Sequence, residues 1–348
     1  MSDVSDVRNG AGLRYSAPDA GGGGPKPPKR KRRAWRIALV ALCSVLGLLV
    51  VLAAGGYAYL NHVASSIPRV NVANLVAVGA PGAGSGQTFL VTSSELGPTG
   101  KPVKDAALPT SANLVMILHL NADGKHGGAV AIPDTIVVNV PGKGTHPLSY
   151  ALENGGPSLL VKTVTKVTGI PFNHYARIDF SHITNLVNAI GGLDVTIPTA
   201  SKSYGHTFKK GLNHLTGLTA VYYAREKSLS APDRTLRQAN FVRAVLTKIA
   251  DDHLVTNPVT MVRVLNSITS ALTVDSNMNN AEIASLAKNS GNLSGSAGTF
   301  VLAPTHTVNG KLVLDTTLAP PLWTAVKQDS IAAFAQQHPS VLTPATVP

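Results

Sequence analysis

Short apolar runs and helical stripes take turns along the chain from residue 88 to the C-terminus. TFLVTSS (88–94) and the unbroken apolar run NLVMILHL (113–120) read as strands, the second buried on both faces. NADGKHGG is a turn, and GAVAIP (128–133) and TIVVNVP (135–141) are further strands. Two short strands flanking a turn rich in Gly and Asp suggest a hairpin.

Helical spacing begins with GGPSLLVKTVTKVTG. Pro157 suits a first helical turn, Leu160, Val164 and Val167 share one face, and Gly169 stops the helix. SHITNLVNAIGG follows, with Ser181 as N-cap, Ile183, Leu186, Val187 and Ile190 on one side, and Gly191 past the end. LDVTIP is a strand, NHLTGLTAVYYARE holds a short helix, and DRTLRQANFVRAVLTKIADDH is a long one capped by Asp233 with the stripe Phe241, Val245 and Ile249. One more helix (NNAEIASLAKNSG), the strands TFVLAPT and KLVLDTT, and a helix around PPLWTAVKQDSIAAFAQQ complete the pattern. Strands alternating with helices predict an α/β domain, a mixed β-sheet covered by helices on both faces (α/β/α), over residues 88–335. The polar, Pro- and Thr-containing residues 336–348 read as a disordered tail, and the small-residue stretch 61–87 as a linker with room for one short strand.

The N-terminal pattern is of another kind. Residues 37–60 run 24 positions without a charge, more than the ~20 a helix needs to cross the hydrocarbon of a bilayer. Seven Lys and Arg lie between Lys26 and Arg36 with no acid among them. Excess positive charge stays in the cytoplasm, so the pattern predicts a single-pass transmembrane helix over 35–60, a cytoplasmic N-terminus and an extracytoplasmic domain. Trp35, Tyr57 and Tyr59 sit where interfacial rings prefer to lie. The competing reading is a secretory signal peptide cut near Ala64-Ser65-Ser66, although such an apolar region is normally shorter. Residues 1–34 read as a disordered basic cytoplasmic tail. Cys43, the single cysteine, lies inside the apolar span, so an intrachain disulfide is excluded.

Charge then singles out one region. Of the net +12, residues 202–248 hold nine Lys and Arg against two acids. A nucleic-acid partner is the usual inference from a basic patch, but export removes it, leaving phosphorylated lipids and anionic wall polymers. On a helix, Arg234, Arg237, Gln238 and Phe241 line neighbouring ridges of one side. Planar guanidinium groups fit phosphate oxygens with paired hydrogen bonds. By composition alone, an anion site and a solvated cationic face both remain open. His174 and Asp179 are five apart in a strand and face opposite sides, which excludes a shared site. No Walker loop and no nucleophile elbow is present.

GGPSLLVKTVTKVTGIPFNHYARIDFSHITNLVNAIGGLDVTIP, then LTGLTAVYYAREK and DRTLRQANF, resembles the LytR-CpsA-Psr (LCP) family of cell-envelope proteins over roughly residues 88–250. The shared patterns are GGP, HY-x-x-x-DF, GG-x-D-V-x-I-P, Y-x-R-x-[RK] and R-x-x-R-Q-x-x-F. The resemblance implies an α/β/α domain whose pocket holds a polyprenyl-phosphate lipid. It also implies transfer of a phosphate-linked glycopolymer from a polyprenyl-pyrophosphate carrier to peptidoglycan or another envelope acceptor, at the outer face of the lipid bilayer. Carried over by position, Arg225 and Arg237 are the catalytic residues that hold the pyrophosphate. Lys227 stands where the family usually has Arg, and Arg234 and Gln238 complete the binding wall.

The same alignment shows departures. The family's G-S-D-like step is here Val91-Thr92-Ser93-Ser94, with Glu95 next. Its R-S-D-T is Ser111-Ala112-Asn113-Leu114, and its P-R-D-T is Pro133-Asp134-Thr135-Ile136. A magnesium ion is usually bound by one or two carboxylates plus substrate phosphates, which makes Asp134 the candidate Mg2+ ligand and leaves most usual acidic positions substituted. Two functions therefore stay open: a magnesium-dependent phosphotransferase, or a catalytically degenerate envelope protein that keeps the lipid and pyrophosphate pocket.

Overall fold

The computed structural model describes residues 55–56, 58–59, 61–80, 86–94, 114–226, 228–251, 258–283, 298–344 and 346–347. The chain divides into two units, Met1–Gly56 and Tyr57–Pro348. Of the first, only Gly55 and Gly56 are described, so the expected tail (1–34) and nearly all of the expected membrane helix (35–60) lie outside the described residues. Among the described residues no helix is long and apolar enough to cross a membrane.

The second unit is built on a seven-stranded mixed sheet in the order β1-β12-β7-β2-β3-β4-β13. Its strands are β1 (Arg69–Val70), β2 (Gln87–Ser94), β3 (Val115–Leu120), β4 (Gly127–Ile132), β7 (His174–Asp179), β12 (Leu272–Asp275) and β13 (Gly298–Leu302). β2 pairs in parallel with β7 and antiparallel with β3, while β3 and β4 form the hairpin expected around NADGKHGG. Strand β3 is central and buried on both faces, which explains its unbroken apolar sequence.

Helices cover both faces, as the alternation predicted. On one face Leu90, Ile117, Val130 and Tyr175 pack with Leu160, Val161 and Val164 of α1 (Ser149–Thr168) and Trp323 and Phe334 of the C-terminal helices. On the other, Phe89, Val91, Met116 and Ala129 meet Ala239. A third cluster joins α2 (Phe180–Ala189), α3 (Gly217–Ala224), α4 (Ala231–Asp251) and α5 (Pro258–Ala271) to the ribbon β8–β11 (Leu193–Ile197 with Gly211–Leu215). α1 is kinked at Gly156 (φ 63°), so Pro157 opens its second limb, and Gly169 in left-handed conformation ends it. The remaining strands make small ribbons: β5 (Val137–Val140) with β6 (Gly144–Pro147), β9 (Ser201–Ser203) with β10 (His206–Phe208), and β14 (Thr305–Val308) with β15 (Lys311–Leu314). The final apolar pattern forms two helices, α6 (Ala319–Lys327) and α7 (Ile331–Gln337).

Two expectations are corrected. The stretch 61–87 does more than link: β1 pairs with β12, Val72 is buried in the core, and the Val76 N–H donates to the Phe172 carbonyl at 2.9 Å. The tail 336–348, expected to be disordered, packs. Val341 and Val347 are buried, the Thr343 N–H donates to Phe300, and Arg243 donates to the Thr343 and Pro344 carbonyls at 2.8 and 2.6 Å. Backbone carbonyls supplied the partners there, and the tail's sequence does not advertise them.

Candidate anion-binding site

The site forms where β2, β4 and β7 end. These three run in the same direction, and Ser94 pairs with Asp179 at the last rung. Crevices beyond the carboxyl ends of strands in open α/β sheets are usual ligand sites. Asp134 lies just past the end of β4, while Asp179 at the end of β7 accepts from or pairs with His182 Nδ1 at 3.2 Å.

Arg225 enters from the end of α3. Its N–H donates to the Val221 carbonyl, its backbone is the C-cap of that helix, and its side chain is buried. Burial brings its pKa down to about 10, so the guanidinium is charged at neutral pH.

Arg237 and Arg234 enter from α4. That helix starts one turn before the sequence pattern indicated. Ser230 accepts the Asp233 N–H at 3.2 Å and donates to the Asp233 carboxylate at 2.6 Å, so Ser230 takes the capping role assigned to Asp233. Arg237 is 1% exposed, with its guanidinium carbon 5.0 Å from the Tyr223 ring centre and 6.0 Å from that of Phe208. Its Nη2 donates to Ser201 Oγ at 3.2 Å. Burial lowers its pKa, and the nearby Tyr223, Glu226 and Asp233 oppose that. Gln238 is buried next to it.

The β9–β10 ribbon is the wall that sequence reasoning missed. Tyr204 and Gly205 make a two-residue turn with φ of 47° and 83°, the pair of positive angles that a type I′ hairpin requires. Ser201 and Phe208 reach Arg237 from its inner side, and the Tyr204 hydroxyl donates to the Arg225 carbonyl at 3.4 Å. Burial raises the Tyr204 pKa, Glu226 raises it further and Arg234 counters. The ribbon thus ties the end of α3, where Arg225 sits, to the face of α4 that carries Arg234, Arg237 and Gln238. Lys227 lies outside the described residues. The dipeptide Tyr204-Gly205 between two short β-prone runs was the available hairpin signal.

Asp134, the candidate metal ligand, stands beside a cation. Its carboxylate faces Arg234 Nη2 at 3.8 Å, and both side chains are largely buried. A guanidinium in that position opposes a cation on the same carboxylate. Among the described residues no group of three or more His, Cys, Asp or Glu could hold a metal ion; Glu95 and Asn113 lie outside them. Guanidinium groups from the end of α3 and the face of α4, with the β9–β10 ribbon against Arg237, are suited to an anion.

A model of the LytR_cpsA_psr family matches residues 110–319. The chain is similar to the probable cell wall biosynthesis protein LcpB of Corynebacterium glutamicum, 32% identical over 148 residues that make up 41% of this chain and 36% of that one. It is 31% identical over 138 residues to the polyisoprenyl-teichoic acid–peptidoglycan teichoic acid transferase TagU of Bacillus mycoides, covering 38% of this chain and 45% of TagU. The match thus spans less than half of either relative. The crystal structure of B. subtilis TagV shares the fold, with a TM-score of 0.56 at 18% identity over 71% of this chain and 97% of that one.

Proposed function

The chain belongs to the LytR_cpsA_psr family, and from that membership we propose that it transfers a phosphate-linked glycopolymer from a polyprenyl-pyrophosphate carrier to peptidoglycan or another envelope acceptor. TagU, whose name states such a transfer, supports the class of reaction. The single observation that carries the reading to this chain is the pair Arg225 and Arg237. Both are buried, one at the end of α3 and the other on α4, and the β9–β10 ribbon touches both, through Tyr204 on the Arg225 carbonyl and Ser201 on the Arg237 guanidinium.

Desolvating a guanidinium is costly unless it is hydrogen-bonded to an anion or another acceptor. Arg225 and Arg237, with Arg234 on the same helix face as Arg237, are suited to a diphosphate, whose oxygens accept paired hydrogen bonds from guanidinium groups. The acceptor hydroxyl oxygen attacks the phosphorus that bears the glycan. The bond from that phosphorus to the bridging oxygen breaks, the carrier leaves as a monophosphate, and the hydroxyl proton goes to solvent. Arg225 and Arg237 hold the diphosphate in line and neutralise charge as it moves to the bridging oxygen. The apolar span at 35–60 anchors the protein in the membrane with residues from about 61 onward outside the cell.

A second reading is a binder without turnover, and the Asp134–Arg234 contact favours it, since the carboxylate expected to take a metal is already engaged. Purified protein is incubated with a polyprenyl-diphosphate glycan and peptidoglycan fragments, with and without divalent ions. Transfer that disappears in Arg237→Ala supports the enzyme. Retained donor binding with no transfer in any ion supports the binder, and absence of donor binding overturns both.

A further inference from the structure

Glu226 lies near Arg237, at the unassigned position of the Y-x-R-x-[RK] pattern in the A-R-E-K stretch. Its side chain is 4% exposed. Oε1 accepts from the Ser228 N–H at 3.0 Å and the Ser228 hydroxyl at 2.9 Å. Oε2 is buried and has no hydrogen-bond partner among the described residues, because the neighbouring Ser203 hydroxyl donates to the Tyr222 carbonyl at 3.2 Å. Burial pushes its pKa up, but Ser228, the hydroxyl of Ser203 and the charge of Arg237 outweigh this, leaving it below the ordinary value. The group is a carboxylate at neutral pH.

Its setting is the same ribbon that holds Arg237. Ser201 and Ser203 are two apart on β9 and share its inner face. Ser201 receives Arg237, and Ser203 lies against Glu226. A buried anion with one oxygen unsatisfied costs stability that a neutral residue of similar size avoids. It also repels the phosphates that the arginines attract.

What such a charge does is limit how tightly phosphate groups are held. After transfer, the former bridging oxygen becomes a terminal oxygen of the carrier monophosphate, which carries about −1.5 to −2 at neutral pH on one phosphorus. Two buried guanidinium groups hold that product at least as firmly as the donor. We propose that Glu226 is a positioning residue that acts through Arg237, holding down the site's affinity for phosphate so that the carrier monophosphate is released. The inference rests on the transferase reading above.

The test compares wild type with Glu226→Gln, Glu226→Met and Glu226→Asp, each shown by thermal melt to be folded. Inorganic pyrophosphate and a short-chain prenyl monophosphate are titrated calorimetrically. Both neutral variants are expected to bind each probe about 10-fold more tightly, and the Asp variant to stay near wild type. With donor and acceptor supplied, the neutral variants are expected to lower KM and kcat together and to show one fast turnover followed by a slow phase, the sign of limiting release. Neutral variants that bind the probes as wild type does, or more weakly, overturn the role of Glu226 and leave the transferase reading standing. Wild type that binds neither probe overturns the transferase reading itself. Should Gln not fold, Met decides, since an apolar residue removes the buried charge without leaving an unpaired polar atom.

Discussion

Arg234 Nη2 lies 3.8 Å from Asp134 Oδ1, joining the first turn of α4 to the loop after β4. The contact spends the one described carboxylate that the motif alignment offered to a metal, and it fixes the edge cation of the anion site. Asp134→Asn is therefore expected to free Arg234 and weaken pyrophosphate binding about three- to tenfold, with Mn2+ affinity of the ligand-free protein unchanged. Calorimetry with each ion separates the two. A loss of Mn2+ affinity would return Asp134 to the role of metal ligand.

Arg237 stacks near Tyr223 and Phe208 and donates to Ser201, so its shape matters along with its charge. Arg237→Lys keeps the charge but loses the planar fork and the ring contacts. We expect it to lower pyrophosphate affinity by at least about 10-fold, and Arg237→Ala by about 100-fold. Equal binding by Lys and Arg at this position would show a point-charge site with no fork geometry.

The C-terminal segment straps α4 to the sheet through Arg243, with Val341 and Val347 buried. Burying one valine stabilises by ~1.5 kcal/mol or more, so deletion after His338 removes about 3 kcal/mol. For a domain of this size that lowers Tm by roughly 6–12 °C. A melt of the shortened chain checks it, and an unchanged Tm would mean that the strap contributes no net stability.

At the far end of the strands, Asp275 is buried and accepts from the Tyr175 N–H and pairs with His174 Nδ1, both at 3.1 Å. Burial raises its pKa, but these bonds, the charge on His174 and the Asn277 N–H overcome that and hold it below the usual value. A carboxylate depressed in the folded state contributes stability that is fully present above its unfolded pKa, about 3.9, and is lost as pH falls through the folded value. Urea midpoints measured from pH 6 downward should thus decline below about pH 4 in wild type. Asp275→Asn should start lower and decline less over that window. Parallel declines in the two proteins would assign the acid sensitivity to other groups.

Much of the scaffold could be read before folding was considered. NLVMILHL announced a doubly buried strand, Gly169 and Gly191 marked helix ends, and alternating patterns announced the layers. These are local or periodic signals, because burial on two faces or one stripe dictates which residue types fit. Arg225, Arg234, Arg237 and Gln238 were also identifiable, through their resemblance to the family's Y-x-R-x-[RK] and R-x-x-R-Q patterns, where composition alone left a solvated cationic face open.

Other features needed the assembled molecule. Ser201–Phe208 carries too few apolar positions to show a pattern, yet it becomes the wall of the site because Phe208 and Ser201 find Arg237, which lies 36 residues beyond Ser201. Glu226 fell at the unassigned position of Y-x-R-x-[RK], and only burial between Ser228 and the ribbon makes it a buried anion with one oxygen lacking a hydrogen bond. Asp134 was read as a candidate metal ligand, and only the fold shows that Arg234 stands against it. The amino-acid order by itself determined which segments are strands, which are helices and which residues carry charge, since those follow from neighbours within a few positions. Which charges face one another was decided only by the tertiary structure, because Coulombic attraction and desolvation depend on distance and burial that contacts between remote segments create.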